Sequence, residues 1–194
     1  VDINGITYNI IKKAKLAEVS AKSSGNYTGN VIIPESVDYE GVAYSVTSIR
    51  YDAFYNCYAL EEITIPASVN QIGAFAFKGT AWHSYNSEDF MTVNHILLKC
   101  SSSQEKVTIP ASVTAICGGS FENEYIKEVT VPASVSALAP YAFSGCSSLT
   151  SVRFAGGISS IGARAFNGCK ALKITVPAGA KVAADAFANC PLMA

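Results

Sequence analysis

The sequence is poor in the residues on which catalytic sites and charged binding surfaces depend. Only 15% of its 194 residues are charged, the formal net charge is −1, and it holds two His and one Trp. Without a basic excess there are no spare cations to release counterions from a nucleic acid, and no polybasic run to hold an anionic membrane. No apolar run approaches the roughly 20 residues of a membrane-spanning helix. Its apolar runs, such as Ile96-Leu97-Leu98, are strand-sized. There is no CxxC pair and no Cys/His pair at zinc-finger spacing. There is also no GxSxG, no carboxylate pair at an interpretable spacing and no Gly-rich phosphate loop. The chain opens on Val1 without Met or a signal peptide. It reads as processed or trimmed, with a secretion signal as one candidate for the segment removed.

What is present is an apolar fraction of 49%, ample for a core, arranged as an internal repeat. Val107-Thr108-Ile109-Pro110-Ala111-Ser112-Val113 and Val129-Thr130-Val131-Pro132-Ala133-Ser134-Val135 are nearly identical to Ile63-Thr64-Ile65-Pro66-Ala67-Ser68-Val69. Val31-Ile32-Ile33-Pro34 precedes them, and degenerate copies follow at Val152-Arg153-Phe154 and Ile174-Thr175-Val176-Pro177. Each copy continues to a second apolar position and, five residues later, a Phe: Phe54, Phe77, Phe121, Phe143, Phe166 and Phe187. Two residues beyond each Phe stands Asn or Gly: Asn56, Gly79, Asn123, Gly145, Gly168 and Asn189. The period is about six copies of 22–23 residues.

The alternation of each copy's start predicts a short strand, ended by Pro, which removes a ladder donor. The second apolar position predicts another short extended piece. The Ala-Phe segment predicts one or two helical turns, closed by an Asn or Gly with positive φ. One copy cannot bury its own apolar face, but stacked neighbours can. The expected fold class is therefore α/β: a solenoid of short parallel strands and short helical turns with the Phe residues as an internal spine.

Residues 1–30 do not match the repeat. Asn4-Gly5 signals a turn between Val1-Asp2-Ile3 and Ile6-Thr7-Tyr8, and Ala17-Glu18-Val19-Ser20 suggests another strand. These residues are expected to form an N-terminal β cap over the first open edge, with the repeats in 31–194. Two insertions interrupt the copies. One, near 38–48, predicts a hairpin with Gly41 near its tip. The other, near 81–106, predicts a hairpin of Phe90-Met91-Thr92-Val93 and Ile96-Leu97-Leu98 around Asn94-His95, standing in for a modified repeat. No cap follows the last copy, which ends at Leu192-Met193-Ala194.

The pattern VTIPASV…I(G)xxAFxGCxxL resembles the BspA-like leucine-rich repeats of bacterial surface proteins. The opening INGITYNII…GNVIIPESVDYEGVAYSVTSI is similar to the N-terminal repeat common in them. The segment TAWHSYNSEDFMTVNHILLK resembles their W…F…ILL variant repeat. The resemblance implies a right-handed leucine-rich-repeat superhelix, an extracellular or bacterial cell-surface location, and a role in adhesion or host interaction. It brings no catalytic residues and no cofactor. The sequence departs from it where Arg50 and Cys117 replace a usual Gly, and where Ala155-Gly156-Gly157 replaces Pro-Ala-Ser.

Among candidate functional residues, the Cys read either as a metal or disulfide set or as buried thiols at one repeat position. The second reading suits the register of Cys146, Cys169 and Cys190, and a Cys100–Cys117 bridge stays open. His83 and His95 lie in the long insertion without ligand spacing and read as solvated loop residues. Tyr39, Tyr44, Tyr51, Tyr55 and Tyr58 cluster in the first copy and its insertion. Tyr is an enriched interface residue, so these are candidate partner-binding residues, against the alternative that they close the end of the solenoid. The outward ladder of Ile32, Thr64, Thr108, Thr130, Arg153 and Thr175 is small and flat, with Arg153 its one candidate anchor. The leading expectation is a non-enzymatic recognition module binding a protein or glycan on a host or neighbouring cell surface. A structural spacer is the first alternative. An enzyme with a site in 81–106, built on His83, His95 and nearby acids, is the last. Function is expected where the repeat is broken: residues 38–58, residues 81–106 and the variable outward positions.

Overall fold

The structure, a computed structural model, describes residues 1–122 and 125–190. The turn expected at Asn123 and the tail at Leu192-Met193-Ala194 lie outside those residues. The chain packs as two compact units, Val1–Asn86 and Ser87–Ala194. The expected cap, residues 1–30, packs with the first copies in unit 1.

Unit 1 opens with β1 (Asp2–Ile3) and β2 (Ile6–Ile11), antiparallel about Asn4 and Gly5. Both turn residues have positive φ, 52° and 79°, which is why Asn-Gly stands there. A 3-10 turn (Lys12–Ala14) leads to β3 (Leu16–Val19), and then come β4 (Gly29–Ile32), β5 (Ser36–Tyr39) and β6 (Val42–Ile49). β5 and β6 form the expected hairpin, with Glu40 and Gly41 at its tip. β7 (Leu60–Thr64), β8 (Gln71–Ile72) and α1 (Ala81–Ser84), the one α-helix among the described residues, complete the unit. The cap joins the repeats through β3, which runs parallel to β6. β8 continues that ladder on β6, while β4 pairs in parallel with β7.

Unit 2 begins with the expected hairpin of the long insertion, β9 (Phe90–Val93) and β10 (Ile96–Cys100), turning at Asn94 and His95 with φ of 47° and 64°. β11 (Lys106–Thr108), β12 (Ala115–Ile116), β13 (Glu128–Val131), β14 (Ala137–Leu138), β15 (Ser151–Phe154), β16 (Ser160–Ile161) and β17 (Lys181–Val182) follow. They form parallel ladders. β11–β13–β15 carries the first strand of each copy, and β14–β16–β17 the second. β10 pairs in parallel with β12 and so takes the second-strand place of a copy. Ile174-Thr175-Val176 forms no strand. From Leu172 to Ile174 that copy is one residue shorter than from Leu149 to Val152, which costs it the register.

Among the described residues the expected helical turns are absent. Two residues before the repeat Phe, φ is positive at Asp52 (56°), Phe75 (58°), Gly119 (84°), Tyr141 (62°) and Arg164 (53°). A left-handed residue cannot sit inside an α-helix. The segment instead folds as consecutive turns, with Ala53 N donating to Arg50 O and Cys57 N to Phe54 O. The backbone groups freed from a helix bond to the next copy. Phe143 N donates to Ala165 O at 2.7 Å and Gly145 N to Asn167 O at 2.7 Å, while Phe166 N donates to Ala186 O at 2.8 Å. The Asn or Gly two residues after Phe has positive φ in every described copy, from 57° at Asn56 to 82° at Gly79.

The rings stack inside each unit. In unit 2, Phe121, Phe143, Phe166 and Phe187 lie 4.7, 5.3 and 5.2 Å apart. In unit 1 the cap's Tyr27 supplies the first rung, 4.6 Å from Phe54, which stacks on Phe77 at 5.3 Å. The buried Tyr27 hydroxyl donates to Ser20 O and accepts from Thr7 N. All six Cys are free thiols, so the Cys100–Cys117 bridge is not formed. Each thiol of the ladder donates to the Phe carbonyl of the preceding copy: Cys146 to Phe121, Cys169 to Phe143 and Cys190 to Phe166, at 2.8, 3.1 and 2.9 Å.

Close approach between copies fixes certain glycines. A Cβ at Gly162 would lie 2.6 Å from Pro140 N. At Gly156 it would lie 2.8 Å from Ala133 Cα, which accounts for Gly in place of Ala at that departure. At Gly157 it would meet nothing within 4 Å. Gly162→Ala should therefore cost about 2–3 kcal/mol by urea unfolding, and Gly157→Ala should stay within about 0.5 kcal/mol of wild type. Equal losses would remove the close-approach explanation.

Burial also makes the fold sensitive to alkali. It pushes the Tyr8 phenol up to about 12, with Tyr27 and Asp2 adding to the shift, and the Cys117 thiol up to about 12. Burial raises Tyr27 and Cys169 too. The folded chain holds these protons more tightly than the unfolded chain. Stability is thus complete below the ordinary thiol value of about 8.5 and falls as pH rises toward 12. The melting temperature should be level from about pH 6 to 8 and fall through pH 9–11. A level profile to pH 11 would contradict this.

Candidate functional site: an aromatic cleft beside strand β7

The repeat's first-strand ladder is interrupted in unit 1. Among the described residues β7 pairs with β4 alone, and α1 packs against β7. The helix starts where it does because Thr80, fully buried, caps it. Its Oγ1 accepts from His83 N at 3.1 Å and donates to Phe77 O at 2.9 Å. That cap sets Trp82 edge-on against Phe77, ring centroids 5.0 Å apart, at the end of the Tyr27–Phe54–Phe77 stack. One side of the indole thus belongs to the core. The residue is only half-buried and lines an open cleft of about 730 Å³.

The lining of this cleft is both aromatic and acidic. Tyr58 enters from the turn before β7 and is 69% exposed; Tyr85 follows α1 and is 86% exposed. Glu61 and Glu62 of β7 line it together, with Thr64 and Asn86 as further polar neighbours. Two consecutive strand residues normally face opposite sides. Here the register with β4 slips by one between Gly29/Leu60 and Asn30/Glu62, so Glu61 has no residue opposite it. A bulge of this kind re-aims side chains, and both carboxylates end up exposed beside one cleft.

A family model, described as the BspA type leucine-rich repeat region, matches the chain in six copies over residues 35–102 and 93–193. The chain belongs to the BspA-type leucine-rich repeat family. Several solved structures are similar to the chain over most of its length. A leucine-rich cell surface protein from Faecalibacterium prausnitzii is similar at 18% identity and a TM-score of 0.52, over 98% of this chain and 86% of that one. A leucine-rich repeat protein from Bacteroides ovatus is 28% identical with a TM-score of 0.49, over 97% of this chain. The chain spans half the length of that protein. The pneumococcal vaccine antigen PcpA is 14% identical with a TM-score of 0.47, over 94% of this chain and 76% of that one. No curated protein sequence matches the chain.

Of the Tyr residues expected to bind, this BspA-type chain places only Tyr58 in the cleft. Tyr51 and Tyr55 are exposed on the preceding turn, Tyr51 beneath the Arg50 guanidinium at 5.1 Å. Tyr39 is half-buried, with the Lys12 ammonium 5.4 Å from its ring. Lys12 also pairs with Glu40 at 2.7 Å and ties the hairpin to the cap. Tyr44 is a correction. Alternation along β6 turns Tyr44 and Val46 inward, and Tyr44 is only 4% exposed, so its ring is unavailable to a partner. Arg153 is exposed on β15, opposite Thr130 of β13. His95 sits at a hairpin tip with its ring Nδ1 3.1 Å from Ser112 O. Among the described residues no group of three or more His, Cys, Asp or Glu is arranged to hold a metal ion, and no helix is long and apolar enough to cross a membrane.

Sequence reading passed over Trp82, Tyr85, Glu61 and Glu62. A signal was available. Leu60-Glu61-Glu62-Ile63 aligns with Ile126-Lys127-Glu128-Val129 and Leu149-Thr150-Ser151-Val152, so the doubled acid is peculiar to one copy. Thr80→Ala should cost about 1 kcal/mol through loss of the cap and shift the emission of the chain's one Trp to longer wavelength. Unchanged emission would show that Thr80 does not position Trp82.

Proposed function

We propose that this chain is a non-enzymatic recognition module, displayed outside a bacterial cell, that binds a protein or glycan of a host or neighbouring cell through the cleft beside β7. The observation that carries this reading is the cleft itself: three aromatic side chains, two of them largely exposed, gathered where the first-strand ladder is interrupted. Aromatic residues with one polar end are enriched in the anchoring centres of interfaces. Elsewhere on the first strands the outward Thr108 and Thr130 are small, with Arg153 as a secondary contact. Family membership supports a surface location and a binding role, because the repeat supplies a scaffold and no catalytic groups.

The test compares two sets of substitutions in binding of the purified chain to intact host and bacterial cells and to surfaces coated with their glycans. Tyr58→Ser with Tyr85→Ser removes two exposed rings without touching the Phe stack. It should reduce binding at least tenfold, the scale of anchor residues worth more than about 1.4 kcal/mol. Tyr51→Ser with Tyr55→Ser should change it less than about twofold, and Arg153→Ala no more. Wild-type binding by the first variant would remove the cleft from the function. Loss only in the second would move the site to the preceding turn.

A further inference from the structure

The chemistry of the cleft's occupant can be narrowed, resting on the reading that the cleft is a recognition site. We infer that it takes the cationic side chains of a basic peptide segment, Lys or Arg, between its aromatic rings and the Glu61–Glu62 pair.

The argument starts from how the same position is treated elsewhere in the chain. In unit 2 the equivalent pair is Lys127-Glu128, and its charges are neutralised along the ladder. Lys127 Nζ lies 2.6 Å from Glu105 Oε1, and Lys106 Nζ lies 2.9 Å from Glu128 Oε1. In the next copy the pair is uncharged, Thr150-Ser151. In unit 1 it is doubly acidic, and the cleft lining holds no Lys, Arg or His. The lining therefore carries two negative charges with no internal counter-charge, beside three aromatic rings. The negative faces of Trp and Tyr attract a cation, most strongly when it is drawn out of water. Carboxylates add charge-assisted hydrogen bonds to the same group. An acidic ligand would be repelled by this lining. A neutral sugar would use the rings but leave the two carboxylates uncompensated. The cleft's size, about 730 Å³, suits a few side chains of an extended peptide rather than a single ion.

Trp82 is the chain's one Trp and it lines the cleft, so its emission reports occupancy directly. Acetylated tetralysine, acetylated tetraarginine, acetylated tetraglutamate and the neutral sugar cellotetraose would each be titrated at low and at 0.5 M salt. The expected result is a saturable emission change with the two basic peptides, weakened several-fold by salt, and no change with tetraglutamate. Glu61→Gln with Glu62→Gln keeps the shape of the lining and should weaken the basic peptides about tenfold, as for two modest ion pairs. Because both residues are exposed, its melting temperature should match wild type. No response to either basic peptide, or equal affinity in the Gln variant, would overturn the inference. So would a response to cellotetraose that the Gln variant retains, although that result would leave the cleft standing as a recognition site. Loss of the recognition reading itself would show separately, as unchanged cell binding by the Tyr58→Ser, Tyr85→Ser variant.

Discussion

Everything in this chain depends on backbone groups that can be satisfied only by a neighbouring copy. A single copy has two short strands, which pair only with strands of other copies, and a run of turns that closes some of its hydrogen bonds internally and the rest with a neighbour. The left-handed residue before five of the repeat Phe residues decides this. At Asp52, Phe75, Tyr141 and Arg164 it prevents a helix from forming, and the amides a helix would have kept are handed to the adjacent turn. Such a conformation is unfavourable for a bulky residue in isolation. It persists because the turns of adjacent copies hold one another. The Phe stack and the thiol ladder follow from the same register, since both need equivalent residues placed directly above one another.

Much of this was legible in the chain. The strand starts, the second extended piece, the Asn or Gly turn and the three hairpins follow from alternation and turn chemistry, which act over a few residues. The helical turns were misread because Ala-Phe segments have fair helix propensity, and in three copies the residue that forbids a helix is Phe75, Tyr141 or Arg164, types that do not signal positive φ. Tyr27 was missed as the first rung because the cap does not share the repeat's spacing. The strand at Ile174 was expected from its resemblance to the others, and the loss of one residue before it was enough to undo the pairing.

The site was less legible than the fold, for a physical reason. Tyr44 and Tyr58 look alike in sequence, but one faces inward on a strand and the other sits ahead of a strand beside a gap in the ladder. Exposure of that kind depends on which neighbour is missing, and a missing neighbour leaves no residue pattern. The acidic pair of β7 did leave one. It stands out once the copies are aligned, because the ladder elsewhere offers each charge a partner or carries none.

The shared hydrogen bonding between copies has a consequence for resistance to proteases. A protease needs a stretch of several residues in extended, unpaired form before it can cut. In this chain freeing the turns of one copy also strips donors or acceptors from the copy bonded to it. Local opening is therefore tied to a larger, costlier event. A backbone with so little regular helix and so many turns would ordinarily be an easy substrate. Here it is guarded by repetition itself.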